Sequence, residues 1–145
     1  MDYSEEIKQL IIDASKLTGL PIKDDDFYIE HQPLKHKPKA LPNGKMAVYT
    51  FVYNGYFLKI GQANANSKAR YQSHPYHPDS ANSTLANSIL KDDSMSSLVE
   101  KENITQWIRD NCERFDVIID KKYGKNALNF IEGMLHYKYN PKYEG

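Results

Sequence analysis

VYTFVYNGYFLKIG, residues 48–61, decides the fold. Asn54-Gly55 lies between two runs rich in aromatic and β-branched residues, the strongest short-range signal for a β-hairpin. The reading is a strand over residues 46–52 and a return strand over 56–61. A two-residue turn pairs positions whose numbers sum to 109, so Tyr49 faces Ile60 and Lys59 faces Thr50. Tyr49 and Lys59 then point to opposite faces of the hairpin. A bulge or a longer loop reverses that parity, and the sequence leaves both registers open.

Upstream of the hairpin, Asp2 or Ser4 is placed to cap a first helix with Glu5 and Glu6 in its opening turn. Ile7, Leu10, Ile11, Ala14 and Leu17 form its apolar stripe at helical spacing, and Gly19 and Pro21 stop it. Residues 21–45 carry Pro33, Pro38, Pro42 and the basic run LKHKPK. They read as an extended arm with little regular structure of its own. Downstream, helices are expected over 68–73, 83–90, 104–112 and 127–139, with a third strand over 115–119. The expectation is a small α+β domain: a three-stranded, largely antiparallel sheet flanked by helices, with an N-terminal helix and arm. Residues 1–45 form the helix and arm, and residues 46–145 the domain proper.

Lys+Arg and Asp+Glu number 19 each, so no global basic excess advertises a nucleic-acid partner. An anion-binding surface must be local and balanced by acid elsewhere, such as Asp24-Asp25-Asp26 or Asp92-Asp93. One cysteine, Cys112, allows no disulfide within the chain, and a reducing, cytoplasmic setting is the expectation. No apolar run approaches membrane-spanning length, and MDYSEEIKQL lacks the layout of a secretory signal.

The polar residues suit phosphodiester chemistry, which needs an activated water and positive charge on the transition-state phosphate. Tyr49 can take a proton from water if nearby cations make its phenol acidic. Arg70 can clasp a phosphate through its planar fork. Lys59 offers a compact charge that lowers the phenol's pKa if the register brings the two together. His74 stands four residues after Arg70, on the same face if the helix extends that far. Glu132 lies mid-helix among Phe130, Ile131 and Met134 and can hold one Mg²⁺ or Mn²⁺ with waters completing the shell.

VYTF followed by LKIG resembles the two-part signature of the GIY-YIG endonuclease superfamily. ARYQSH then supplies an arginine and a histidine, and NFIEGMLHYKYNPKY resembles that family's metal-binding glutamate helix with its Asn-Pro close. The resemblance runs over about residues 46–143 and rests on the ordered set, since each motif alone is common by chance. It implies a metal-dependent nuclease that hydrolyses DNA phosphodiesters and leaves a 5′-phosphate. By the same resemblance Tyr49 is the general base, Arg70 the phosphate contact, Glu132 the Mg²⁺ or Mn²⁺ ligand and His74 a helper. Three departures stand out. The first block reads Ala-Val-Tyr without an opening glycine, and Lys59 occupies a position where many members have tyrosine. The C-terminal end reads Lys-Tyr-Glu where many members end Lys-Tyr-Asn.

Plainer readings stand beside these. Tyr53 and Tyr56 make a cross-strand pair, and Lys59 serves equally well as an edge-strand lysine that blocks aggregation. Arg109 and Arg114 read as surface pairs, Trp107 and Cys112 as core, and Glu132 alternatively as a solvated helix residue. His74 and His77 lack the partners of a zinc set. LKHKPK either lies along a DNA backbone or is a solvated linker. Overall neutrality points to weak DNA affinity unless a homodimer or a partner protein contributes. The competing function is a nuclease-like module that binds nucleic acid or protein without cutting.

Overall fold

Asn54 and Gly55 both take positive φ, 49° and 79°, as the two-residue turn demands. Around them run β2 (Lys45–Tyr53) and β3 (Tyr56–Ala63). The computed structural model describes residues 1–79 and 84–143, so the expected helix start at Ser83 lies outside it. The remaining strands are β1 (Phe27–Gln32) and β4 (Arg114–Asp120), and the four form one antiparallel sheet in the order β1-β4-β2-β3. The helices are α1 (Ser4–Leu17), α2 (Lys68–Gln72), α3 (Leu85–Lys91), α4 (Asp93–Ser96), α5 (Ile104–Asn111) and α6 (Gly124–Tyr139).

The fold is α+β, but the sheet has four strands where three were expected. The additional one, β1, lies inside the stretch read as an arm and pairs along its length with β4, Phe27 facing Ile119 and Gln32 facing Arg114. Ile7, Ile11 and Phe27 share a core with Val48, Phe115, Leu128 and Ile131. Residues 1–45 and 46–145 therefore share one sheet and one apolar layer.

Each face of the sheet buries its own layer. α1 and α6 cover one, through Ile7, Ile11, Leu128, Ile131 and Leu135. α2, α3 and α5 cover the other, where Phe51, Leu58, Tyr71, Leu85, Ile89, Ile104 and Ile108 pack together. β3 is an edge strand, and the chain's end shields it. Asn140 turns the exit of α6 in the left-handed region (φ 46°), after which the amides of Lys142 and Tyr143 donate to the carbonyls of Phe57 and Leu58 at 2.9 and 2.8 Å. The Tyr143 hydroxyl then donates to Asp92 at 2.6 Å. The NPKY close thus has a structural task, tying the strand edge to α4. Among the described residues no helix is long and apolar enough to cross a membrane.

Candidate functional site

The hairpin departs from the simple two-residue register. Tyr53 faces Tyr56 and Val52 faces Phe57, but the pairing shifts between Phe51 and Val52. Beyond the shift Phe51 faces Lys59, Thr50 faces Ile60 and Tyr49 faces Gly61, so Leu58 is the additional residue of a β-bulge. The bulge puts Tyr49, Phe51, Lys59 and Gly61 on one face. It also explains Gly61: a Cβ there would lie 2.9 Å from Tyr49 Cε1 and closer still to the ring's outer end. The phenol lies over the glycine, and only glycine leaves that seat open.

A cleft of about 550 Å³ opens beside this hairpin and wraps around the β3 edge. It is lined by all five residues singled out in the sequence: Tyr49, Lys59, Arg70, His74 and Glu132. Tyr49 and Lys59 come from the sheet, Arg70 from α2, and Glu132 from α6 on the sheet's far side. His74 does not share a helix with Arg70. α2 ends at Gln72, and a single 3₁₀ turn, His74–Tyr76, carries the histidine with Pro75 behind it. Lys125 of α6 also lines the cleft, so among the described residues its fixed charges are three cations and one carboxylate.

Burial shapes the two sheet residues. Tyr49 is 7% exposed and Lys59 is 6% exposed, so Lys59 does not project from the edge as an aggregation block would. Burial pushes the Tyr49 phenol up, while Arg70 and Arg114 pull it down less strongly. Burial therefore works against the acidification that the sequence reading made conditional on nearby cations. Burial likewise lowers the Lys59 ammonium, with Glu132 opposing and Arg70 assisting.

Glu132 has a partner the sequence reading missed. His136 lies one turn on, with Nε2 3.5 Å from the Glu132 carboxylate and 3.0 Å from the Ile60 carbonyl. A carbonyl only accepts, so Nε2 carries the proton and the ring ties α6 to β3. The i,i+4 spacing of Glu132 and His136 was the available signal. On the same helix Asn129 accepts from Gln62 at 2.9 Å.

Beneath the cleft lies a buried polar network. Arg114, expected at the surface, is fully buried, with Nε 3.1 Å from Asp116 Oδ2. Its Nη1 donates to the Tyr76 hydroxyl at 2.9 Å and its Nη2 to the Tyr71 carbonyl at 3.2 Å. Asp116 also accepts from Tyr71 Oη (2.9 Å), Gln32 Nε2 (3.0 Å) and the Thr50 amide (2.9 Å). Burial pushes the Asp116 carboxyl up, and the guanidinium and these donors oppose it. Arg109 is half-buried, its guanidinium 5.3 Å from the Tyr76 ring centre. The network fastens α2, the carrier of Arg70, to β4 and β2. It also satisfies backbone groups where β2 and β4 part: Thr50 Oγ1 donates to the Phe115 carbonyl and accepts from its amide, both at 2.9 Å.

His36, from the proline-rich segment, closes the network. Its Nδ1 donates to the Pro33 carbonyl at 3.2 Å, so its Nε2 accepts from Tyr76 Oη at 2.6 Å. Burial, with Arg114 and Arg109 nearby, holds His36 down to about 4 from the ordinary 6.5. The unfolded chain therefore binds one more proton than the folded one between those values, and stability falls as pH drops through that window. We expect a loss on the order of 3 kcal/mol from this group between neutral pH and about pH 4. Urea unfolding at stepped pH measures it, and His36→Gln flattens the dependence.

Among the described residues, no three His, Cys, Asp or Glu side chains converge as a metal site. A single carboxylate beside amide and hydroxyl oxygens such as Asn64, Asn66 and Thr84 fits a hard, largely hydrated cation rather than zinc. Compared with family models, curated proteins and solved structures, the chain finds no match.

Proposed function

We propose that this chain is a metal-dependent endonuclease that hydrolyses DNA phosphodiester bonds at the β3-edge cleft. What supports the reading is one observation: a phenol, three cations and one carboxylate, drawn from the sheet, α2 and opposite-face α6, line the same cleft. Arg70 grips two oxygens of the phosphate through its fork. Lys59 and Lys125 add positive charge where negative charge grows in the transition state. Tyr49 orients the attacking water, and in its phenolate form accepts the proton that water loses. Glu132, fixed beside His136, would hold Mg²⁺ or Mn²⁺. Bound there, the cation would polarise a phosphoryl oxygen as a Lewis acid.

The test is cleavage of supercoiled plasmid and of branched DNA with Mg²⁺ or Mn²⁺. We expect nicking that stops on chelation and falls about a hundredfold or more in Glu132→Ala. Equal cutting by wild type and Glu132→Ala would trace the activity to a contaminant and end the proposal. The upward push on the Tyr49 phenol favours a second reading, a binding module without chemistry. That reading predicts DNA binding by both proteins and cleavage by neither.

A further inference from the structure

The balanced charge of this chain hides a separation along it. Residues 31–78 contain seven lysines and arginines, from Lys35 to Arg70, and no aspartate or glutamate, in a chain with 19 residues of each sign. The rest of the chain is correspondingly acidic. The basic part comprises the segment after β1, the hairpin and α2, the elements that supply Tyr49, Lys59, Arg70 and His74 to the cleft.

The segment 33–43 has little regular structure, yet it is not a loose linker. His36 is 8% exposed and bonded to Tyr76, and Leu41 is 2% exposed in the same core as Tyr49 and Tyr71. The Lys35 amide donates to the Arg109 carbonyl at 2.8 Å. Near the segment's far end, Asn43 accepts a hydrogen bond from the Lys68 ammonium of α2. These anchors pin it against α2 and the turn that carries His74. Between them Lys35, Lys37 and Lys39 are exposed. Lys39 pairs with Glu30, whereas among the described residues Lys35 and Lys37 have no carboxylate partner.

We propose that segment 33–43 is a phosphate-backbone strip, which extends the grip of the cleft along a nucleic acid beyond the bond to be cut. The proposal rests on the nuclease reading of the cleft. Fixed lysines without acidic partners keep their charge for an external anion, and anchoring means little ordering entropy is lost on binding. Continuity with Lys68 and Arg70 of α2 favours a long polyanion threading one path. A membrane surface is disfavoured, because Leu34 is the one large apolar side chain exposed there and no amphipathic face accompanies it.

The experiment is anisotropy of a labelled random-sequence duplex, titrated at several salt concentrations with Ca²⁺ replacing Mg²⁺. It compares wild type, Lys35→Gln/Lys37→Gln and the charge-keeping Lys35→Arg/Lys37→Arg. Each phosphate contact contributes about 0.9 to the slope of log Kobs against log salt, so the Gln pair should shed about 1.8 and the Arg pair should keep the wild-type slope. An unchanged slope and affinity in the Gln pair overturns the strip and leaves the nuclease reading standing. Loss of the slope in the Gln pair, with a wild type that binds duplex but never cuts, supports the strip and removes the nuclease reading. A wild type that ignores duplex, or that binds phosphatidylserine vesicles instead, overturns the strip outright.

Discussion

On the endonuclease reading, Tyr49→Phe should lower kcat for DNA cleavage by about 10²–10⁴-fold, the usual worth of a positioned general base, and should leave the fold intact. The ring keeps its seat over Gly61, edge-on to Phe51 with centroids 6.1 Å apart, and with the Arg114 guanidinium 5.8 Å from its centre. Only the oxygen is lost, so urea unfolding should change by about 1 kcal/mol or less. The pH profile adds a sharper sign. Burial favours the protonated phenol, so the phenolate fraction, and with it the wild-type rate, should climb through neutral pH rather than level off there. In Tyr49→Phe that climb disappears. Single-turnover rates across pH settle the matter: equal rates and parallel profiles for both proteins would remove Tyr49 from the chemistry.

Asp116→Ala should cost about 3–5 kcal/mol of stability, because it strands the Arg114 charge in a fully buried site. It also frees the Thr50 amide and the hydroxyl of Tyr71, both of which donate to that carboxylate. Removing both charges with apolar residues of similar volume, Arg114→Met with Asp116→Leu, should recover much of the loss, since a matched apolar pair carries no stranded ion. Denaturant midpoints with unchanged m-values measure both variants. A single-variant cost under about 1 kcal/mol would mean that water reaches the pair and that it does not lock α2 in place.

Several features were legible in the sequence because a local rule wrote them. Asn54-Gly55 gives the turn, the Ile7, Leu10, Ile11 stripe gives α1, and Leu128, Ile131 and Leu135 give α6. β1 was hidden because the face that begins with Phe27 and Ile29 ends in His31, while the other face carries Tyr28, Glu30 and Gln32, the last buried and donating to Asp116. Its alternation is therefore incomplete, and β4 makes it a strand. Arg114 and Asp116 carried a signal that went unused. Spaced two apart on a strand, they share one face, while Phe115, Val117 and Ile119 fill the other. The five cleft residues could be named from chemistry and motif order, but their environments could not. The burial that raises the Tyr49 phenol comes from side chains far away in sequence. Lys125 needed the helix to be set against β3 before it could be seen, whereas His136 was signalled by its i,i+4 spacing from Glu132.

The bulged Leu58 has a consequence for anyone lining up related hairpins. Counting residues from the tyrosine to the glycine does not tell which side of the ribbon an intervening ammonium occupies. A homologue of the same length that paired without the bulge would turn its lysine toward α6 and need another cation, from another element, to stand beside its phenol. Kinship judged on letter spacing alone would pass over that exchange, and a comparison of strand partners would reveal it.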